Sequence, residues 1–188
     1  MISAIVLAAG ESRRMGKTKL ILDWQGKTIL QHVLDTLRDS SLDEVVLVLG
    51  HEAERIRGRI QAPGVKIVIN PDYREGMSTS LHRGILAADP DTQAFLVVLA
   101  DQPGINPEII RELIQNFRQA FPGKNIVVPV FKGRRGHPVL FGGKYRGEIL
   151  IDHPEDILTV EMDAEAVLVD IDTPEDYQTH LRSSASHK

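Results

Sequence analysis

Residues 2–19 read ISAIVLAAGESRRMGKTK, and the pattern in this stretch decides how the rest of the chain is interpreted. The apolar run at 5–9 has the length and β-branched content typical of a strand buried on both faces of a parallel sheet. Between Gly10 and Lys19 there are two glycines, two arginines and two lysines, but the only acid is Glu11. A small-residue turn exposes backbone N–H groups, and cations beyond it neutralise phosphate oxygens. The stretch therefore predicts a polyphosphate-binding loop after a buried first strand.

Two known phosphate motifs do not fit this loop. A P-loop needs four residues between its first glycine and Gly-Lys-Thr, whereas five separate Gly10 from Gly16. A dinucleotide fingerprint needs a glycine where Ser12 stands, which disfavours a dehydrogenase. The remaining alternative is an ordinary polar loop between a strand and a helix, but such loops seldom carry this density of glycine and cations.

The composition restricts the class of protein. A chain of 188 residues with 42% hydrophobic content predicts one domain, residues 1–182, followed by a disordered polar tail at 183–188. The net charge of −4 argues against a nucleic-acid partner, and the absence of cysteine excludes disulfides, thiolate metal sites and cysteine nucleophiles. No apolar run reaches the ~18 residues of a membrane span, and no signal segment is recognisable, so we expect no membrane association and a cytoplasmic location.

Predicted strands alternate with predicted helices along the chain. This alternation indicates an α/β, three-layer sandwich with a mostly parallel, doubly wound, Rossmann-like sheet, which places ligands at the carboxyl ends of its strands. Gly10, Gly50 and Asp101 all follow such ends. We expect a short extended piece at 20–24, and a β-excursion over one side of the site within 130–170, beginning at Val139. The predicted strands are 5–9, 44–50, 65–69, 95–99 and 125–130, and the predicted helices are 28–38, 52–61, 78–88, 107–120 and 174–181.

Six motifs run through nearly the whole chain: LAAGESRRMG at 7–16 followed by Lys19, GH at 50–51, EGMSTSL at 75–81, LADQP at 99–103, GHP at 136–138 and DIDTPED at 170–176. In content and order they resemble the sugar-nucleotidyltransferase-like (MobA-like NTP transferase) family, and most of all its molybdenum cofactor cytidylyltransferase branch. The resemblance implies a Mg²⁺-dependent enzyme that transfers CMP from CTP to the terminal phosphate of molybdopterin and releases pyrophosphate. A molybdoenzyme or its chaperone is a further partner that it implies.

Two carboxylates are candidates for holding the metal. Asp101 follows a strongly apolar run at the end of a central strand, a position that suits Mg²⁺, although a turn or cap aspartate would look similar. Asp170 and Asp172 share one face if their segment is extended, and on sequence alone a capping role for Asp172 is as good as a metal role. The resemblance assigns both Asp101 and Asp172 to the metal.

Arg14 and Lys19 are the cations we place on the triphosphate, because nucleotidyl transfer builds charge on the α-phosphate and on the leaving pyrophosphate. With Asp101 they form the predicted catalytic set, whereas Arg13 and Lys17 are expected to be solvated. By resemblance Ala9 favours CTP, since a second glycine there accompanies the guanosine-using enzymes. The predicted nucleotide-binding residues are Leu7, Ala8, Ala9, Gly10, Arg14, Lys19, Gly50, Ser78 and Asp101.

The acceptor side is predicted from the later motifs. The hydroxyls of 78–80 are expected to cap a helix and also to lie near the ligand, and His137 is as often structural as substrate-binding in such a loop. The remaining histidines lack zinc spacing. After Tyr145 the chain is predicted to lack about one short helix that the branch usually has, which weakens the assignment of molybdopterin. The predicted acceptor-binding residues are Gly76, Ser78, Thr79, Ser80, Gln102 and His137.

Two other functions stay open at this point. One is nucleotidyl transfer with GTP or ATP as donor, or with another phosphorylated small molecule as acceptor. The other is a non-catalytic nucleotide-binding regulator or cofactor chaperone, against which the presence of both Asp101 and Asp172 argues.

Overall fold

A mixed sheet forms the middle layer of the protein in the computed structural model, which describes residues 1–146 and 153–185. Its strand order is β10-β7-β9-β6-β1-β4-β5, with β8 paired to β7, and β2 and β3 form a separate hairpin. The strands are β1 (Ile2–Ala8), β2 (Asp23–Trp24), β3 (Lys27–Thr28), β4 (Glu44–Leu49), β5 (Lys66–Ile69), β6 (Ala94–Leu99), β7 (Ile126–Phe131), β8 (Arg134–Arg135), β9 (Val139–Gly142) and β10 (Ile157–Glu161).

Helices cover both faces of this sheet. They are α1 (Ile29–Arg38), α2 (Ala53–Arg57), α3 (Met77–Ala87), α4 (Pro107–Ala120) and α5 (Pro174–Ala185). The apolar stripes of α1 and α4 bury against one face, whereas α3 packs on the other. Neighbouring residues of β1 point to opposite faces of the sheet: Ile5 is buried in one core and Val6 in the other. Both faces of this strand are therefore apolar, which explains its continuous apolar run. The predicted α/β fold with a mostly parallel sheet in a single domain is confirmed.

The parallel strands β5, β4, β1 and β6 align their carboxyl ends at one edge. Helix α3 lies unusually close to β1, because a Cβ atom at Gly84 would stand 2.4 Å from Ile5 Cγ2. The start of α3 is thereby held beside the end of β1. This edge of the sheet is where the sequence places the ligand.

Three local predictions are wrong. The extended piece at 20–24 begins as a 3₁₀ turn, Lys19–Ile21, that buries Leu20. Helix α2 is shorter than 52–61 because it ends at Gly58. The expected β-excursion does not begin at Val139: β9 lies in the main sheet, antiparallel between β6 and β7, where Leu140 and Phe141 are buried on opposite faces.

Two further predictions fall partly on residues that the structure does not describe. The expected loss of a short helix after Tyr145 concerns 147–152, which lie outside the described residues. The predicted tail begins at 183, yet the backbone of α5 is helical to Ala185, and 186–188 are again outside the described part. The domain boundary at 182 stays a prediction.

Candidate active site

A cavity of about 360 Å³ opens at the carboxyl ends of β1 and β6, beside the start of α3. The phosphate-loop residues predicted from the sequence and the two aspartates meet in its wall. Backbone and side chains of residues 7–10 form one side, and the end of β6 forms another. The predicted site residues that line it are Leu7, Ala8, Ala9, Gly10, Arg14, Lys19, Ser80, Asp101 and Asp172.

Lys19 lies between the two aspartates. Its Nζ donates to Asp101 Oδ2 at 2.5 Å and to Asp172 Oδ1 at 2.8 Å. The Lys19 side chain is only 12% exposed. Burial would lower the pKa of Lys19, but the two carboxylates outweigh it and the pKa is raised. The ammonium group is therefore charged, which places a cation between two anions in the site.

Arg14 approaches the same cluster from the phosphate loop. It donates to Asp172 Oδ2 at 2.7 Å, and its side chain is 70% exposed, so the guanidinium can move to an incoming anion. Burial would raise the pKa of Asp172, but hydrogen bonds and charge from Lys19 and Arg14 lower it. Arg13 pairs with Glu11 and is 81% exposed, but it also lines the cavity, so its predicted role as a merely solvated residue is incomplete.

The position of Asp172 is set by its neighbours. The backbone N–H of Ile171 donates to Asp101 O at 3.0 Å, which ties this segment to the end of β6. Helix α5 is capped by Thr173, whose Oγ1 accepts from Asp176 N, while Asp176 Oδ2 accepts from Thr173 N. The capping role that the sequence left open for Asp172 therefore belongs to Thr173 and Asp176. The carboxylate of Asp172 is left to face Lys19.

Gly50 acts behind the cavity wall. A Cβ atom there would stand 2.8 Å from the Cβ atoms of both Ala9 and Tyr73. The next residue, His51, donates its backbone N–H to Ala9 O at 3.1 Å. Close packing at Gly50 thus sets the positions of two cavity residues, and Gly50 itself does not line the cavity.

The start of α3 differs from its prediction. Gly76 is the N-cap and no side chain caps the helix, so the expected capping by hydroxyls is wrong. The hydroxyls of 78–80 lie inside the first turn and not at the N-cap, and Thr79 Oγ1 donates to the carbonyl of Gly76, three residues back, at 2.9 Å. Ser78 is exposed and does not line the cavity, whereas Ser80 does.

Gln102, Asp170 and His137 form a polar cluster next to Asp101, outside the cavity wall. Gln102 is 2% exposed and donates from Nε2 to Asp170 Oδ1 at 2.6 Å, while its Oε1 has no hydrogen-bond partner in the described part of the chain. Burial raises the pKa of Asp170, and the charges of Asp101 and Asp172 raise it further. Burial lowers the pKa of His137, although Asp170 and Asp101 oppose this shift. The cluster adjoins the site on the side away from β1.

Several cavity residues were missed by sequence reasoning, and two of them come from a segment far from the phosphate loop in the sequence. Tyr73 and Met77 line the cavity, and the side chain of Met77 is exposed although it is large and apolar. Met77 belongs to the EGMSTSL motif, but only its helical position shows that it faces the cavity. Tyr73 follows the end of β5 and the dipeptide Asn70-Pro71, and this position just past a strand end was the one sequence signal that could have placed it near the ligand.

The two site aspartates are arranged to suit a divalent cation. Asp101 and Asp172 come from different segments and converge on one ammonium group, so a cation can contact both carboxylates. Within 1–146 and 153–185, no group of three or more His, Cys, Asp or Glu residues is placed to hold a metal. Mg²⁺ commonly takes one or two carboxylates and completes its shell with phosphate oxygens and water. The residues present fit such an ion.

Comparison with known proteins decides the family. Residues 4–156 match the family of the MobA-like NTP transferase domain. The chain belongs to this family. The predicted relationship and the prediction of a nucleotidyltransferase are confirmed. No described helix has the length and apolarity to cross a membrane.

Three relatives show the range of this family. Molybdenum cofactor cytidylyltransferase of Escherichia coli is 28% identical over 95% of this chain and 94% of its own length. Nicotine blue oxidoreductase of Paenarthrobacter nicotinovorans is 31% identical over 77% of this chain and 72% of its own. The crystal structure of Rv0371c from Mycobacterium tuberculosis in complex with manganese has a TM-score of 0.78, with 27% identity over 97% and 98% of the two chains.

Proposed function

We propose that this protein transfers CMP from CTP to the terminal phosphate of a molybdopterin-type acceptor. An acceptor phosphate oxygen attacks the α-phosphorus of CTP, the bond from that phosphorus to the bridging oxygen of the β-phosphate breaks, and pyrophosphate leaves with the electron pair. The observation that carries the proposal is the contact of Lys19 with both Asp101 and Asp172 beside the phosphate loop.

The chain's own residues supply binding and charge neutralisation. Lys19 and Arg14 are close enough to the phosphate loop to move from their aspartates to the α-phosphate and the departing pyrophosphate. Cations placed beside the reacting phosphates act most strongly on charge that develops in the transition state. The backbone of Leu7 to Gly10 holds the nucleoside, and the small side chains of Ala8 and Ala9 permit a close approach.

Mg²⁺ is the proposed metal, held by Asp101 and Asp172. When bound it would neutralise phosphate charge and orient the triphosphate. The manganese in the Mycobacterium tuberculosis relative supports a divalent ion in this fold. Because two carboxylates leave most of the coordination shell open, we infer that metal and nucleotide bind together.

CTP is preferred as donor because Ala9 precedes Gly10, as in the cytidine-using enzymes of the family. The E. coli relative named as a cytidylyltransferase matches nearly the full chain, which supports the same donor. We place the acceptor at the polar cluster of Gln102 and His137, which adjoins Asp101. The unpaired Oε1 of Gln102 is suited to an N–H donor of a pterin. A molybdoenzyme or its chaperone would receive the product, and a cytoplasmic location suits this supply.

Pyrophosphate release tests the proposal. The purified protein is incubated with Mg²⁺, molybdenum-bearing molybdopterin and CTP, GTP or ATP in separate reactions. We expect release with CTP that depends on the acceptor. Release with GTP or ATP alone would change the donor, and release only with a different phosphorylated acceptor would change the acceptor. Tight CTP binding without release would favour a nucleotide-binding regulator.

A further inference from the structure

Asn70 lies behind the cavity, at the end of β5, and is fully buried. Its backbone N–H donates to Leu49 O at 2.7 Å, which fixes its place at the sheet edge. Its side-chain Nδ2 donates to Thr79 Oγ1 and to Ser80 Oγ, both at 2.9 Å. Asn70 therefore joins the end of β5 to the first turn of α3, and one of its two partners lines the cavity.

The orientation of the Asn70 amide is fixed by its other partners. Asn70 Oδ1 accepts from the backbone N–H of Asp72 at 3.0 Å and from Arg83 Nε at 3.0 Å. Both of these groups can only donate, so the amide oxygen must face them. The NH₂ group must then face the hydroxyls of Thr79 and Ser80.

This orientation determines what the two hydroxyls can do. The Thr79 hydroxyl accepts a hydrogen bond from Asn70 and donates its own hydrogen to the backbone carbonyl of Gly76 at 2.9 Å. Ser80 also accepts from Asn70, but in the described part of the chain its hydroxyl has no second hydrogen-bond partner. Ser80 is 3% exposed and lines the cavity. Its hydroxyl hydrogen is therefore buried, unused and adjacent to the ligand space.

We propose that Asn70 is a positioning residue for nucleotide recognition, which directs the Ser80 hydroxyl hydrogen into the cavity to donate to an acceptor atom of the base. The inference rests on the proposed function in that the ligand is a nucleoside triphosphate. The pyrimidine edge of cytosine carries two such acceptors, the ring N3 and the adjacent carbonyl oxygen. Asn70 does not line the cavity, and its effect passes through Ser80.

Asn70→Asp tests the role with little change of shape. A carboxylate still accepts from Asp72 N and Arg83 Nε, but it cannot donate to the hydroxyls. Ser80 would then turn its hydrogen towards residue 70 and away from the cavity. The probe is CTP with Mg²⁺ in the absence of acceptor. We expect the Kd for CTP to rise about fivefold to tenfold, because one hydrogen bond to the nucleotide is lost. Ser80→Ala is expected to give a similar rise.

A double-mutant cycle separates positioning from a merely structural role. If Asn70 acts through Ser80, Asn70→Asp changes Kd by less than about twofold in the Ser80→Ala background. Arg83→Gln is the matched control, because it removes a partner of Asn70 Oδ1 without reversing the amide donors. We expect its Kd for CTP to stay within twofold of the wild-type value. Thermal unfolding of each variant reports on the fold.

Several results would overturn the inference. Unchanged CTP affinity in Asn70→Asp, or an equal loss of affinity in the Ser80→Ala background, would show that the amide does not act through the hydroxyl. If Asn70→Asp does not fold, Ser80→Ala decides, since an unchanged CTP affinity in that variant would show that the Ser80 hydroxyl does not bond to the base. A wild-type protein that binds GTP or ATP instead of CTP contradicts the proposed donor, and the same cycle with that nucleotide then decides the role of Asn70. A wild-type protein that binds none of the three refutes both.

Discussion

At the amino end of the sheet Glu44 is held by two short, fixed donors in addition to Lys66, whereas at the carboxyl end Asp101 and Asp172 are held by Lys19 and Arg14, whose side chains can leave. Glu44 accepts from Ser3 Oγ at 2.8 Å and from the backbone N–H of Asp89 at 3.0 Å. Ser3 is fully buried and also bonds Thr92. These short donors belong to the core and have no freedom to serve a ligand.

The carboxyl end is built from long cations instead. In the described part of the chain, the carboxylates of Asp101 and Asp172 accept hydrogen bonds from Lys19 and Arg14. Both cations have several rotatable bonds and can exchange a carboxylate for a phosphate. The difference shows that buried charge alone does not identify a site. What identifies it is a charge whose partners can change.

Removing a lysine at each end is the strongest way to break this comparison. Lys19→Ala removes the cation from the transition state and is expected to lower kcat for pyrophosphate release about 100-fold to 1,000-fold. Lys66→Ala is the matched variant, because Lys66 pairs with Glu44 at 3.1 Å and donates to Ala87 O at 2.8 Å, away from the cavity wall. We expect its kcat to stay within twofold of wild type. Equal losses in both variants would contradict the distinction.

The free energy of unfolding of a Glu44 variant tests the comparison at the amino end of the sheet. Burial would raise the pKa of Glu44, but its bonds from Asp89 N–H, Ser3 and Lys66 lower it overall. A lowered pKa stabilises the fold above the unfolded value of 4.5, and this contribution is lost as the pH falls below it. Glu44→Gln should therefore lower the free energy of unfolding by about 1–2 kcal/mol at pH 7, the scale of a hydrogen bond to a charged group.

The pH dependence is the check on this prediction. Urea unfolding of Glu44→Gln and wild type is compared between pH 7 and pH 3, and the difference should shrink as the pH falls through 4.5 and below. Nucleotide affinity at pH 7 should be unchanged. A difference in unfolding free energy that stays constant with pH would mean that Glu44 contributes through packing and not through its charge.

The sequence predicted the parts of this fold that depend on local pattern. Helix α4 begins and ends at the predicted residues because Asn106 caps it, Pro107 opens it and its apolar stripe is regular. The phosphate loop and Asp101 follow predicted strand ends, whereas Asp172 was assigned by resemblance alone; the structure brings all of them to one cavity with Lys19. The predictions failed where tertiary contacts decide: β9 enters the sheet, where its two faces are buried in separate cores.

The amide of Asn70 and the wall residues Tyr73 and Met77 show a second limit. Their roles depend on how the end of β5 meets the start of α3, which no periodicity in the sequence describes. Asn70 stands before Pro71 with no motif around it, and only its four side-chain hydrogen bonds reveal a shared role with Ser80. The motif EGMSTSL gave the right segment, but the structure selects Met77 and Ser80 within it as cavity residues.

Metal binding in the presence of nucleotide is the most direct test of the site. Electron paramagnetic resonance measures free Mn²⁺ during titration of wild-type protein and Asp101→Asn, each with and without CTP. We predict that CTP strengthens Mn²⁺ binding to the wild type, because two carboxylates and the triphosphate share the ion, and that Asp101→Asn loses at least about tenfold in this affinity while its thermal unfolding is unchanged. Equal Mn²⁺ affinity in the two proteins would show that Asp101 does not hold the metal.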